Sequence, residues 1–237
     1  MKQSIFDRFS STWWDKEGPM KMLHSMNETR MLFIQERIMN RYHRLESFKN
    51  ILNKKKILDL GCGGGILSES LAEFNANITA IDESKKLIQE AKKRADLKRL
   101  KINYKCSSID VLYEKKFKFD IIICLEVIEH VTNFKEFLKT TFQCLNKDGI
   151  IILSTINRST ISYISTILVA ENILRLVPKK THNWDMYIKP EEIINIAKQK
   201  SLKIDKLRGL LPFPTLSGFK WIRVKNTKAN YIISFIN

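Results

Sequence analysis

Residues 55–65 read Lys-Lys-Ile-Leu-Asp-Leu-Gly-Cys-Gly-Gly-Gly, and the next apolar run, Ile78-Thr-Ala-Ile-Asp82, ends on a carboxylate. A short apolar strand enters a glycine-rich turn that opens a helix, and the following strand is tipped by Asp82. This order predicts the start of a doubly wound α/β sheet with a ligand at the strand ends. Glycine lets backbone approach such a ligand, and the carboxylate can accept hydrogen bonds from ribose hydroxyls. Glycine here would also serve plain helix–strand packing, so the turn alone is only moderately specific.

The details separate two ligand classes. Dinucleotide sites follow Gly-x-Gly-x-x-Gly and seat a pyrophosphate on the helix N-terminus. This chain has Gly61, Gly63, Gly64 and Gly65, with Asp59 inside the strand just before the turn. An acidic strand end suits a cationic ligand better than a phosphate, and S-adenosylmethionine carries both an ammonium and a sulfonium. On that reading Asp82 holds the ribose, and Gly61 and Gly63 admit the methionyl part. Asp59 either sits near the ammonium or is a buried carboxylate that fastens the turn.

Working outward, the pattern alternates. Strand-like apolar runs occur at 56–60, 78–81, 102–105, 120–124 and 150–154, with helical stretches near 65–74, 84–95 and 134–145. Alternation of this kind implies a mainly parallel sheet with right-handed crossovers. Ser84 and Asn133 are candidate N-caps, Asp148-Gly149 a turn, and Pro190 suits the first turn of a later helix. The tail is expected to add two strands, near 203–208 and 230–235, joined by a loop holding Pro212, Pro214 and Gly218.

The expectation is therefore one α/β domain over 1–237: a Rossmann-like, mainly parallel seven-stranded sheet with helices on both faces. Residues 1–50 form a helical extension broken at Asp15-Lys16-Glu17-Gly18-Pro19, and 158–189 an insertion after the fifth strand.

The fourth strand supplies the polar chemistry. Asp120-Ile-Ile-Ile-Cys-Leu-Glu126-Val-Ile-Glu129-His130 places two carboxylates and an imidazole at a strand C-terminus, where open α/β sheets bind ligands. Leu125 is placed to line the cofactor pocket. Glu126, Glu129 and His130 are candidate ligands for a hard divalent ion such as Mg²⁺. His130 is alternatively a general base, or Glu129 and His130 only cap and orient the next loop. Ser108 and Ile109, after the third strand, are candidates for contact with adenine.

Composition bounds the partners. Lys and Arg total 41 against 25 Asp and Glu, a formal net charge of +16. Such a surface attracts nucleic acid, anionic lipid or acidic protein, or is simply a solvated lysine-rich face. No compact basic block with interleaved aromatics is present, and no Asn/Asp-Pro-Pro-Tyr/Phe motif follows the fourth strand. Both absences argue against a nucleic-acid methyltransferase. A non-catalytic lipid-binding scaffold is opposed by the glycine turn, Asp82 and the Glu-Glu-His cluster. Cys62, Cys106, Cys124 and Cys144 lack Cys-x-x-Cys spacing and read as reduced thiols. The N-terminal residues have no apolar signal-peptide core and no run spans a bilayer, so a cytosolic or membrane-face location is expected.

Several segments together resemble the ubiquinone biosynthesis O-methyltransferases. They are Trp13-Trp14-Asp15, Leu23-His24-x-x-Asn27-x-x-Arg30, Leu58-Asp-Leu-Gly-Cys-Gly-Gly-Gly65 and Leu125-Glu-Val-Ile-Glu-His-Val131. Further on come Ser154-Thr-Ile-Asn-Arg158, Val177-Pro-Lys-Lys-Thr-His182 and Ile188-Lys-Pro190. The match runs from about residue 5 to 210. The glycine turn marks only the class I methyltransferase superfamily; the double tryptophan, the Leu23–Arg30 segment and the Val177–His182 segment are the specific part in combination.

The resemblance implies methyl transfer from S-adenosylmethionine to ring hydroxyls of polyprenylated phenols, at both O-methylation steps. The implied substrates are a 2-polyprenyl-6-hydroxyphenol and 3-demethylubiquinol. It assigns cofactor contacts to Arg30, Gly61, Asp82 and Leu125, and divalent-ion ligands to Glu126, Glu129 and His130. A guanidinium at Arg30 suits the methionyl carboxylate. His130 and His182 are the candidate bases. Trp13 and Trp14 either cover the cofactor or pack the N-terminal helix.

The implied substrate has a bilayer-soluble tail. The apolar stretch 160–177, flanked by Arg158 and Lys179-Lys180, is then either an interfacial segment on an anionic membrane or a pocket-covering helix. Peripheral association with the cytoplasmic membrane face is expected, with other ubiquinone-biosynthesis proteins as partners and no nucleic acid. The chain departs from the family at Lys180, where glycine is usual, and at Phe213-Pro214, which replaces Asn-Pro.

Overall fold

The structure is a computed structural model, and it describes residues 5–42, 45–163, 184–215 and 218–237. A 3-10 helix over Ile5–Thr12 leads to α1 (Lys21–Tyr42) and α2 (Phe48–Lys54). The alternating part follows: β1 (Lys56–Leu60), α3 (Ile66–Ala72), β2 (Asn77–Asp82), α4 (Lys85–Leu97), β3 (Asn103–Cys106), α5 (Ile109–Glu114) and β4 (Phe119–Leu125). Next come α6 (Phe134–Gln143), β5 (Leu145–Ile156), a single turn α7 (Thr160–Ser162) and α8 (Pro190–Gln199). The chain closes with β6 (Lys203–Thr215), β7 (Gly218–Val224) and β8 (Asn230–Ile236).

The strands form one sheet in the order β3-β2-β1-β4-β5-β8-β6-β7. Strands β1 to β5 pair in parallel, while β8 is antiparallel to β5 and to β6, and β6 to β7. The order reverses between β1 and β4, which opens a crevice at their C-terminal ends.

Both faces of the central strands are apolar, and the period of two splits them into two cores. Ile57, Ile121, Ile123, Ile150 and Ile152 pack with Phe33, Ile34 and Ile38 of α1, Leu52 of α2 and Leu71 of α3. Their neighbours Leu58, Ile122, Cys124, Ile151 and Leu153 pack on the other face with Leu138 and Phe142 of α6 and Ile193 of α8. The caps fall where the sequence places them. Ser84 Oγ accepts from Leu87 N at 3.1 Å to start α4, and Asn133 Oδ1 accepts from Glu136 N at 3.3 Å to start α6.

One expectation is corrected: the sheet has eight strands, not seven. The segment with Pro212 and Pro214, read as a loop, is the outer half of β6, paired with β7 through Pro212↔Trp221 and Pro214↔Phe219. Strand β8 stops at Asn230↔Leu210, so from residue 211 onward one edge of β6 has no strand partner among the described residues. Prolines two apart present their missing N–H groups to the same edge, and here that edge needs none. The Asp148-Gly149 turn lies inside β5 as an irregularity, between the pairs Phe119↔Leu145 and Ile121↔Ile150. Most of the 160–177 stretch, with Lys179, Lys180 and His182, lies outside the described residues. Among the described residues no helix is long and apolar enough to cross a membrane.

Candidate active site

The crevice at the C-terminal ends of β1, β2 and β4 holds a cavity of about 760 Å³. Every expected cofactor contact lines it: Arg30, Asp59, Gly61, Gly63, Asp82, Ser108, Ile109 and Leu125. Glu126, Glu129 and His130 line the same cavity. These residues come from α1, three strand ends and two loops, and the sheet alone brings them together.

The glycine turn is built for close approach. Gly61 and Gly63 have φ of +74° and +54°, in the left-handed region. A Cβ on Gly61 would lie 2.3 Å from Val127, and one on Gly63 would lie 2.5 Å from the Trp13 ring. Asp82 reaches across to this turn: Oδ2 accepts from Gly63 N at 3.0 Å, and Oδ1 accepts from Ser84 N at 2.8 Å. Burial raises its pKa, and the two backbone N–H bonds oppose that rise.

Asp59 is buried beneath the turn and accepts from Ser68 Oγ at 2.5 Å, which ties β1 to α3. Burial pushes its pKa up to about 7, against the pull of the Ser68 hydrogen bond. Ser108 caps α5, accepting from Val111 N at 3.5 Å, and Ile109 is buried at the start of that helix. Helix α5 is too short at six residues for its periodicity to be read from sequence.

Beside Arg30 in the same crevice, Glu126 takes a left-handed backbone conformation, φ +55°. A non-glycine residue held there is strained, as is common where a side chain is aimed into a site. Its Oε1 accepts from Ser154 Oγ at 2.7 Å and lies 2.9 Å from Arg30 Nη2, while Oε2 is 3.4 Å from Asn230 Nδ2. The Arg30 contact is one of charge, because Nη2 and Nε of Arg30 make no hydrogen bond in this geometry. Glu129 is buried and accepts from Thr155 Oγ1 at 2.8 Å. Burial, and then the nearby Glu126, raise its pKa well above the usual carboxylate range. His130 is exposed, with its ring edge-on to Phe6 at 5.1 Å between centroids.

These three residues do not present a ready metal site. Glu126 is turned toward Arg30, Ser154 and Asn230; Glu129 points inward to Thr155; His130 faces outward to Phe6. Among the described residues no group of three or more His, Cys, Asp or Glu converges as metal ligands do. The adenosyl ligand fits better. Arg30 is only 5% exposed, lines the cavity, and keeps Nε and Nη2 without a hydrogen bond, so its guanidinium retains donors that a carboxylate could answer.

Sequence reading missed the groups that hold Glu126 and Glu129: Ser154 and Thr155 at the end of β5, and Asn230 at the start of β8. Their position at strand ends beside the crevice was the available signal. It also missed Trp221 of β7, which lines the cavity and anchors α1. The Trp221 carbonyl accepts from Thr29 Oγ1 at 2.7 Å, and its Nε1 donates to Ser25 Oγ at 2.9 Å. The two tryptophans read as cover or packing lie against the glycine turn. Trp14 Nε1 donates to the Gly64 carbonyl at 3.1 Å, and His24 Nε2 is 2.8 Å from the Trp13 carbonyl.

A doubly wound sheet with this glycine turn and acidic second strand defines the methyltransferase class, and residues 22–204 match the methyltransferase domain family. Among solved structures, the magnesium protoporphyrin IX methyltransferase of Synechocystis PCC 6803 with bound SAH superposes with a TM-score of 0.66. It is 18% identical, over 98% of this chain and 94% of that one. The plantazolicin methyltransferase BpumL, with a TM-score of 0.62 and 18% identity, covers 98% of this chain and 94% of its own. At that identity the likeness is one of fold.

Curated relatives are more specific. A ubiquinone biosynthesis O-methyltransferase of Pelagibacter ubique is 39% identical over 98% of this chain and 95% of its own length. The mitochondrial one of Arabidopsis thaliana is 38% identical over 96% of this chain and 70% of its own. The chain belongs to the ubiquinone biosynthesis O-methyltransferase family.

Proposed function

We propose that this protein transfers the methyl group of S-adenosylmethionine to a ring hydroxyl of a polyprenylated catechol in ubiquinone biosynthesis, at both O-methylation steps. The observation that carries the reading is one cavity that gathers two kinds of chemistry. The glycine turn with Asp82 and the Glu126, Glu129 and His130 cluster line it together, with Arg30 2.9 Å from Glu126.

S-adenosylmethionine supplies an electrophilic methyl on a sulfonium. The protein's part is positioning and proton transfer. Asp82 accepts from the ribose hydroxyls, and the glycine turn and Arg30 seat the methionyl end. Leu125, Ser108 and Ile109 bound the adenosyl portion. The phenol lies toward Glu126 and Glu129. His130, at the open edge of the cavity, takes the phenolic proton on a ring nitrogen; the oxygen so freed would attack the methyl carbon as its bond to sulfur breaks and S-adenosylhomocysteine leaves with the electron pair. His182 is the second candidate base. Apolar side chains of α1 and Trp221 exclude water from the adenosyl end.

The prenyl tail requires access to lipid. The +16 charge, the apolar 160–177 stretch and its Lys179-Lys180 flank support docking on an anionic membrane face. Replacing both lysines by glutamine is expected to weaken co-sedimentation with anionic liposomes; unchanged sedimentation would remove this segment from the docking surface.

The deciding assay is transfer of labelled methyl from S-adenosylmethionine to a short-chain prenylated catechol, with and without Mg²⁺. Absence of transfer overturns the reading. A Mg²⁺ requirement would mean that Glu126 leaves Arg30 to take up an ion.

A further inference from the structure

The cavity has an unmet hydrogen-bonding demand, and all of it is donor. Among the described residues four buried side-chain polar atoms make no hydrogen bond: Trp13 Nε1, Arg30 Nε, Arg30 Nη2, whose 2.9 Å contact with Glu126 is one of charge, and Arg37 Nε. Three of these belong to Trp13 and Arg30, both 5% exposed and both lining this cavity. A buried donor without an acceptor is costly, and natural folds rarely retain one without a use.

The other indoles sharpen the point. The chain has four tryptophans. Trp14 Nε1 donates to the Gly64 carbonyl, Trp184 Nε1 to the Ser159 carbonyl and Trp221 Nε1 to Ser25 Oγ. Trp13 is the exception, yet it is among the most tightly placed. Its ring lies on the Gly63–Gly64 backbone, so close that a Cβ on Gly64 would come within 2.7 Å of Nε1. Its carbonyl is fixed by His24, and its segment is tied down by Trp14 on Gly64 and by the hydrogen bond between Asp7 and Ser84. An indole locked in this way, with its N–H unsatisfied beside the glycine turn, is organised in advance for an acceptor that arrives with the ligand.

We propose that Trp13 is a cofactor-binding residue whose indole N–H donates to the methionyl carboxylate of the bound adenosyl ligand, alongside Arg30. The proposal rests on the reading of that ligand as S-adenosylmethionine. A carboxylate is the acceptor that answers two separate sets of donors with no orphaned acceptor among them, and it is the anionic group of that ligand. Phenylalanine at 13 would keep an aromatic ring beside the glycine turn and remove the donor together with part of the ring; any loss of packing would be reported by both ligands.

The test compares S-adenosylhomocysteine with 5′-methylthioadenosine, which lacks the amino-acid end, by calorimetry on the full chain and its W13F variant. Expected is a loss of about tenfold in affinity for S-adenosylhomocysteine, with methylthioadenosine binding unchanged. Unchanged S-adenosylhomocysteine affinity, or equal losses for both ligands, would overturn the proposal. If W13F does not fold, the indole N–H resonances of the ¹⁵N-labelled wild type decide. One of the four should move downfield with S-adenosylhomocysteine and stay in place with methylthioadenosine; no such difference counts against the proposal. Failure of the wild type to bind either ligand would instead sink the adenosyl reading itself.

Discussion

At the residue scale, two positions behave unlike their sequence neighbours would suggest. Asp59 is a carboxylate in the buried part of β1, between Leu58 and Leu60, and burial holds its pKa near 7 rather than its ordinary 3.8. The folded state therefore holds this proton more tightly than the unfolded chain does. Its contribution is full below pH 3.8 and falls as pH rises toward 7, so the group favours unfolding above that window. Asp59→Asn keeps an oxygen for Ser68 and removes the titration. Its ligand-free stability should rise relative to wild type by about 1 kcal/mol or more between pH 5 and 7.5, read from urea melts. A parallel pH profile in the two proteins would show that Asp59 is already ionised at low pH. Gly63 is the second position. Gly63→Ala puts a Cβ into the Trp13 ring from a left-handed backbone, and a destabilisation of about 1–3 kcal/mol is expected. Arg30 must satisfy both Glu126 and a ligand. Arg30→Lys keeps the charge and loses the planar fork, so affinity for S-adenosylmethionine should fall tenfold or more while the fold survives.

At the scale of elements, Ser84 does two jobs. Its hydroxyl oxygen caps α4 and its hydroxyl hydrogen bonds Asp7 of the N-terminal 3-10 helix. Ser84→Ala should cost about 1 kcal/mol in stability. It should also raise the rate at which a protease cuts near residues 5–12, a change that loss of the cap alone would not produce. The C-terminal hairpin shows why some elements could be read and others not. Strands β1, β2 and β4 announce themselves by apolar runs buried on both faces. The outer half of β6 carries two prolines and reads as a loop, because nothing local says that one of its edges pairs with no strand among the described residues. Helix α5 was missed for the opposite reason, since six residues contain too few turns to show a period.

For the whole molecule, the crevice of the candidate active site is a consequence of strand order. Residues from α1, β1, β2, β4, β5 and β8 meet at one end of the sheet because the order reverses between β1 and β4. The strong positive charge acts at this same scale. Binding to anionic vesicles should weaken steeply with added salt, as a summed field does, and vesicles of neutral lipid should bind little. Salt-independent binding would point to apolar insertion alone.

The alternating α/β order, the glycine turn with Asp82 and the Glu126–His130 cluster can all be read from sequence, because each is written within a few adjacent residues. Period, turn chemistry and capping are local, and local signals survive without the fold. The tertiary structure decided the rest: the eighth strand, the pairing of Arg30 with Glu126, the grip of Ser154, Thr155 and Asn230 on the two glutamates, and Trp13 on the glycine backbone. Those contacts join residues far apart in the chain. They depend on strand order and on which groups lose their water together, and neither is encoded in any single window of sequence.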